Sequence, residues 1–114
     1  MKAYYGRRMA AAGRSVNVWE RGVDNRQGNR KLDIEPSRKL NDHSTEFNWG
    51  YSGSGPAQLS LAILLDMWGD PHMALSHYQQ FKEDKVANFG GEWKITGTQI
   101  DEWLANECGM KGEV

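Results

Sequence analysis

The chain has 114 residues, of which 39% are hydrophobic and 25% charged, and its formal net charge is −1. This composition predicts a single domain over residues 1–114 and excludes a collagen-like, coiled-coil or disordered chain, because five Trp, four Tyr and three Phe need a core or a ligand to cover them. The sequence has neither the run of roughly 18 apolar residues that a membrane span needs nor an apolar signal-peptide core. A single cysteine, Cys108, cannot form an internal disulfide, so we expect a cytoplasmic protein.

Charge is distributed unevenly along the sequence. Residues 1–40 hold ten Lys or Arg against four Asp or Glu, whereas residues 41–114 hold four against eleven. All seven Arg lie at or before Arg38, and Arg is suited to the planar recognition of phosphate or carboxylate. The cluster indicates an anion-facing surface, although charges that protect exposed strand edges give the same pattern. The net charge argues against non-specific binding of nucleic acid.

The first third of the chain alternates between apolar and polar residues, as strands of a small antiparallel sheet do. The alternation predicts strands over residues 3–8, 15–20 and 30–35. The first strand places Ala3, Tyr5 and Arg7 on one face. From Ser37 to Gly55 the sequence has no sustained periodicity, which predicts a long irregular loop, and such loops in small domains often carry function.

Helical patterns begin at Pro56, which is suited to the first turn of a helix. The stretch that follows is apolar almost all round and ends at Gly69, so we expect a buried central helix. Asp70 and Pro71 then predict the N-cap and first turn of a second helix. Its buried stripe is expected to comprise Leu75, Tyr78, Phe81, Val86 and Phe89.

The last predicted elements are a short strand over residues 93–96 and a helix opened by a capping box, Thr96 with Gln99. Strands followed by helices indicate an α+β fold. We therefore expect a small antiparallel sheet, built from three N-terminal strands and the short strand near 93–96, packed against two or three helices.

The candidate site is the glycine- and serine-rich segment that leads into the first long helix. A helix N-terminus carries unpaired amide groups and a partial positive charge, and glycines let a ligand approach the backbone. The flanking aromatic residues offer flat surfaces for a base. These features predict a site for a phosphate joined to a base, made by Arg7, Arg8, Trp49, Tyr51, Ser52, Gly53, Ser54, Gly55 and Gln58. The alternative is that the glycines serve only to pack the helix tightly.

Residues 48–64, Asn-Trp-Gly-Tyr-Ser-Gly-Ser-Gly-Pro-Ala-Gln-Leu-Ser-Leu-Ala-Ile-Leu, resemble the signature W-G-Y-G-G-S-G-P-A-Q-L-A-L-A-I-L of a family of small bacterial and phage proteins of unknown function. Segments 4–8, 78–82 and 93–96 echo the same family. The chain departs from the signature at Ser52, where the family tends to carry Gly. The resemblance implies a phage or bacterial accessory protein and supplies no activity.

The sequence favours a protein that is not an enzyme, with no metal and no cofactor, although a small hydrolase or transferase built on His43 and Ser52 remains an alternative. The leading hypothesis is the capture of a nucleotide-like anion, such as a defence signal in the host cytoplasm. A second is an inhibitor of a host defence protein, of the anti-CRISPR kind, acting through an acidic helical face that includes Glu83 and Asp84. Whether the protein forms a homo-oligomer stays open.

Overall fold

The computed structural model describes residues 2–9, 13–21 and 27–109, and it confirms the predicted α+β fold. Four strands form one antiparallel sheet in the order β3-β2-β1-β4. The strands are Lys2–Met9 (β1), Gly13–Arg21 (β2), Gln27–Lys31 (β3) and Glu92–Thr96 (β4). The helices are Glu35–Leu40 (α1), Ser54–Trp68 (α2), Pro71–Asp84 (α3) and Gly97–Leu104 (α4), with a 3-10 turn at Val86–Asn88 and a π-helical turn at Ala105–Gly109.

The core lies between one face of the sheet and the helices. Alternate side chains of the strands point into it, among them Tyr4, Val18 and Ile95, which are all buried. Every residue of α2 from Gly55 to Leu64 is buried as well, which confirms the predicted central helix. A helix buried all round positions its own N-terminus firmly, because each buried apolar side chain contributes about 1.5–3 kcal/mol that a shift of the helix would forfeit.

Local capping signals fix the helix boundaries. The Asp70 side chain accepts hydrogen bonds from the backbone N–H groups of His72 (3.0 Å) and Met73 (3.2 Å), as its sequence context predicts. Thr96 and Gln99 form the predicted capping box of α4. These helices therefore start where short-range sequence signals place them, with their first amide groups satisfied by side chains.

Three details of the sequence-based fold are wrong. The third strand ends at Lys31, not near Pro36, and Pro36 occupies the first turn of α1 instead. That helix lies partly within the stretch predicted to be irregular, and at six residues it is too short to show a period. Leu75, expected in the buried stripe of α3, is 40% exposed. The connections between the three N-terminal strands, residues 10–12 and 22–26, lie outside the described residues.

A polar cluster joins strands β1 and β3 to the C-terminal end of α2. The Asp66 carboxylate accepts hydrogen bonds from the Tyr4 hydroxyl (2.7 Å) and the Arg30 guanidinium (2.9 Å), and the Lys2 ammonium lies 3.3 Å from it. Burial acts to raise the pKa of Asp66, but the hydrogen bonds from Tyr4 and Arg30 and the charge of Lys2 outweigh it, so the pKa lies below its ordinary value. The cluster thus ties β1, β3 and α2 together through one ionised carboxylate.

Candidate functional site

The segment that precedes α2 is organised around Asn48. Its side-chain oxygen accepts hydrogen bonds from Arg8 Nη2 (3.1 Å) and from the backbone N–H of Trp49 (2.9 Å). Its amide nitrogen donates to the hydroxyl of Tyr51 (3.2 Å). One asparagine therefore holds a guanidinium from β1 and an aromatic side chain of the loop next to the start of α2. Asn48 is absent from the sequence-based site, and the polar residue directly before the Trp-Gly-Tyr run was the available signal.

The N-terminus of α2 has no side-chain cap. Gly53 is the N-cap residue, and the first turn contains no acidic side chain. The N–H of Ala57 bonds to the Gly53 carbonyl (3.0 Å) and Pro56 has no N–H, whereas the N–H groups of Ser54 and Gly55 find no acceptor in the described ranges 2–9, 13–21 and 27–109. Since α2 has 15 residues, its aligned peptide dipoles leave a partial positive charge beside these two N–H groups, of which that of Ser54 belongs to an exposed residue and that of Gly55 to a buried one.

Two glycines of the loop are explained by close packing. A Cβ on Gly55 would lie 2.5 Å from the Cβ of Asn48, and a Cβ on Gly53 would lie 2.6 Å from the ring of Tyr51. A larger residue at Gly55 would push the loop away from the helix, because it would also meet the backbone of Asn48, whereas at Gly53 the exposed ring of Tyr51 would have to move. Close packing therefore accounts for Gly at position 55, and the N–H groups of Ser54 and Gly55 in the same turn have no acceptor within the described ranges.

Arg7 and Arg8 lie on opposite faces of β1, because side chains alternate along a strand. Arg8 Nη2 donates to the carbonyl oxygen of Trp49 (2.8 Å), and its guanidinium carbon lies 4.8 Å from the centre of the Trp49 ring. Arg7 is opposite Ser15 on β2 and Glu92 on β4, on the face of the sheet away from the helices. The structure therefore places Arg8, but not Arg7, beside the N-terminus of α2.

Trp49 is a core residue. It is fully buried, its ring packs edge-on against Trp93 with centroids 5.7 Å apart, and Arg8 covers one of its faces. A ring enclosed in this way has no free face for a base, so the expected stacking role of Trp49 is wrong. Its indole N–H, like that of Trp93, has no hydrogen-bond acceptor within the part of the chain that the structure describes.

Gln58 is also internal, so its expected contact with a ligand is wrong. Its side-chain oxygen accepts from the backbone N–H groups of His43 (2.7 Å) and Ser44 (3.0 Å), and its nitrogen donates to Ser37 Oγ (2.8 Å) and to the Asn41 carbonyl (3.2 Å). A polar residue within a helix buried all round must find partners inside the protein. That rule, applied to the sequence, was the signal that Gln58 is structural.

Tyr51 and Ser52 lie at the outer rim of the loop. Tyr51 is 48% exposed, which leaves its ring accessible. Ser52 Oγ donates to Glu83 Oε2 (2.8 Å), and Lys82 Nζ lies 3.2 Å from the same oxygen. The hydrogen bonds from Ser52 and Lys82 lower the pKa of Glu83, which keeps this carboxylate charged. The charge of Lys82 is thus paired with Glu83 on the Ser52 side of the loop, whereas the uncapped start of α2 attracts an anion on the side of Ser54.

The residues named for the other hypotheses have partners of their own. His43 Nε2 lies 2.7 Å from the hydroxyl of Tyr78, so the ring nitrogen meets a phenol, while the Ser52 hydroxyl is directed to Glu83. The Asp84 carboxylate accepts hydrogen bonds from Trp103 Nε1 (2.8 Å) and from the Gln80 amide (2.8 Å). The described residues contain no group of three or more His, Cys, Asp or Glu arranged to hold a metal ion.

A groove of about 540 Å³ runs between β2 and the segment 45–47. Its Arg14 forms an ion pair with Glu46 and donates from Nε to the carbonyl of Phe47 (2.7 Å). Because Glu46 neutralises the charge of this guanidinium, the groove attracts an anion less strongly than the N-terminus of α2 does. No helix among the residues that the structure covers is long and apolar enough to cross a bilayer.

The fold and site define a small α+β protein with a tightly packed glycine loop before a buried helix. Residues 4–106 match a family of unknown function, DUF6166, which spans most of the chain, so the protein belongs to this family. No curated protein and no solved structure matches the chain.

Proposed function

We propose that the protein is a non-enzymatic binding protein for a small anionic ligand of nucleotide type, held at the N-terminus of α2. The observation that carries the proposal is the uncapped start of this helix, where the N–H groups of Ser54 and Gly55 have no acceptor in the described ranges and Asn48, packed against Gly55, binds the guanidinium of Arg8. Backbone donors, a helix dipole and an arginine are the groups by which proteins hold phosphate.

The geometry of Arg8 supports the proposal further. Its internal hydrogen bonds, to Asn48 and Trp49, both use Nη2. Nε and Nη1 therefore remain for a ligand, since no acceptor for them lies within the described residues. Because Asn48 and the Trp49 ring already fix the guanidinium, little side-chain entropy is lost when an anion binds.

The rim of the loop supports a ligand with an aromatic part. Tyr51 is exposed and its hydroxyl is held by Asn48, so its ring can stack on a base. On the far side of Ser52 the Lys82 ammonium is already paired with Glu83, so it is not available to a second phosphate there. This arrangement favours a nucleotide with one phosphate group, linear or cyclic, over a polyphosphate.

The resemblance to bacterial and phage proteins supports a biological setting for this binding. In that setting the protein is a phage-encoded or bacterial accessory protein in the host cytoplasm, and it sequesters a nucleotide signal of a defence system. The rival hypothesis of an acidic surface that binds a host protein has less support, because the carboxylates of Glu83 and Asp84 already accept hydrogen bonds from the protein itself.

The test is isothermal titration of the full chain with inorganic phosphate, nucleoside mono- and diphosphates and cyclic nucleotides. The variant Arg8→Gln should weaken binding about tenfold or more, because it removes a charge-assisted hydrogen bond. Arg7→Gln changes the same charge on the other face of β1 and should leave the affinity nearly unchanged. No measurable binding of any of these ligands, or an equal loss of affinity in both variants, would reject the proposal.

A second variant separates binding from folding. Ser54→Asp places a carboxylate in the first turn of α2, where it interacts favourably with the helix dipole and repels an anion. We expect this variant to lose binding while its thermal stability stays equal to or above that of the unmodified protein. Ser54→Asn, which lacks the charge, is the matched control. Full binding by Ser54→Asp would contradict the site.

A further inference from the structure

The face of the sheet opposite the helices is a second, separate surface. Its side chains alternate with the buried ones, so on β1 this open face carries Tyr5 and Arg7, whereas Tyr4 points into the core. Tyr5 is half-buried and Arg7 exposed. The strand register defines which residues are neighbours on this open face, since residues that are Cα partners lie side by side.

One row of the open face crosses all four strands. From β3 to β4 it consists of Lys31, Asn17, Tyr5 and Lys94. Neighbouring strands are about 4.8 Å apart, so the two lysines lie roughly 14 Å apart along the row, with the tyrosine between them. The row therefore has an aromatic side chain in the middle and a cation at each end.

The ring of Tyr5 is held along the surface of the sheet. Its hydroxyl donates to the side-chain oxygen of Asn29, which lies on β3, two strands and about 10 Å away. The side chain must therefore lie across β2 and not stand away from it. Next to it a shallow pocket of about 340 Å³ is lined by Trp19, Ala3 and Lys94 among others, a size within the range of small-ligand sites.

Charge on the open face is positive, in contrast to the whole chain. Lys31, Lys94 and Arg7 contribute cations, and all three are exposed. Among the described residues of this face, Glu92, opposite Arg7, is the one acidic side chain. A flat aromatic surface surrounded by cations is complementary to the bases and phosphates of a nucleic acid. An apolar or acidic peptide without planar groups would leave the aromatic surface unused.

We propose that the open face binds a short single-stranded nucleic acid. A base stacks on Tyr5, with the pocket beside Trp19 for a neighbouring base, and Lys31 and Lys94 contact the backbone phosphates. This goes beyond the anion site at α2, which lies on the other side of the sheet, and does not depend on it. A duplex is disfavoured, because its bases are paired and stacked on one another and are not available for stacking on Tyr5.

The test is fluorescence anisotropy of labelled oligothymidine and oligouridine with the full chain at low salt, with duplex DNA as competitor. Tyr5→Leu should weaken binding about tenfold because the stacking surface is lost, whereas Tyr5→Phe keeps the ring and should bind almost normally. Near-ultraviolet circular dichroism of each variant verifies the fold. If Tyr5→Leu binds as tightly as the unmodified chain, the inference is wrong.

Salt dependence tests the role of the lysines. For single strands the slope of log affinity against log salt changes by about 0.7 per phosphate contact, so the double variant Lys31→Gln, Lys94→Gln should reduce the slope by about 1.4. Lys39→Gln, on the exposed surface of α1, removes the same kind of charge elsewhere and should leave the slope unchanged. An equal effect of Lys39→Gln, no binding to any oligonucleotide, or a dimer in analytical ultracentrifugation that buries this face would each overturn the proposal.

Discussion

Replacing Gln58 by Leu tests whether this residue holds the loop before α2 in place. The substitution keeps the size of the side chain and removes four hydrogen bonds, two of them to the backbone N–H groups of His43 and Ser44. A buried donor without an acceptor costs about 1–3 kcal/mol. Because His43 and Ser44 are half-buried, water can reach their N–H groups and lowers this cost. Burying an apolar Leu side chain in place of a polar amide also offsets part of it. The expected loss is about 2–3 kcal/mol in the free energy of unfolding.

For a chain of this length a loss of that size lowers the melting temperature by about 8–12 °C. The assays are urea denaturation and thermal unfolding, with Gln79→Leu on the exposed face of α3 as the matched control, for which we expect a change within about 0.5 kcal/mol. Amide hydrogen exchange at His43 and Ser44 should accelerate in Gln58→Leu. A loss below about 1 kcal/mol, with unchanged exchange at those amides, would refute the structural role of Gln58.

Three further substitutions test the packing around the site and the polar cluster. Gly55→Ala should destabilise the protein by about 1–3 kcal/mol in urea denaturation, because its Cβ would meet Asn48 at 2.5 Å, whereas Gly91→Ala has open space and should be neutral. Thr96→Ala should cost about 1 kcal/mol through loss of the α4 cap, and a change near zero would contradict the capping box. The pKa of Asp66 is lowered in the folded protein, so its stabilising effect is complete at neutral pH and is lost as the pH falls through about 4 and below. Asp66→Asn should therefore be less stable than the unmodified chain at pH 7, and its free energy of unfolding should fall less between pH 5 and pH 3. The same pH dependence in both proteins would refute the role of the Asp66 carboxylate.

Much of the fold follows from short-range patterns in the sequence. The alternation of the strands, the Asp70 N-cap and the capping box at Thr96 each depend on a few neighbouring residues, and the structure confirms them. The six-residue helix around Pro36 escaped prediction because it is shorter than two turns. The exposure of Leu75 depends on which residues of α3 face α2, and a helical period alone does not determine that.

The candidate site was predictable only in outline. The glycine-rich approach to α2 identifies an uncapped helix start, but the choice between Arg7 and Arg8 depends on which face of β1 meets the helices. Trp49 and Gln58 look like ligand contacts in sequence because both flank the loop. In the folded chain each has internal partners that lie far away in sequence, and such contacts leave no local pattern.

The most direct test of the anion site is a residue-resolved nuclear magnetic resonance titration of the full, nitrogen-15-labelled chain with inorganic phosphate and then with adenosine monophosphate. We expect the amide signals of Ser54 and Gly55 and the Nε signal of Arg8 to shift together and saturate at one dissociation constant, while the amide signals of the last turn of α2 stay in place. Saturating shifts confined to other residues, with Ser54 and Gly55 unmoved, would contradict it.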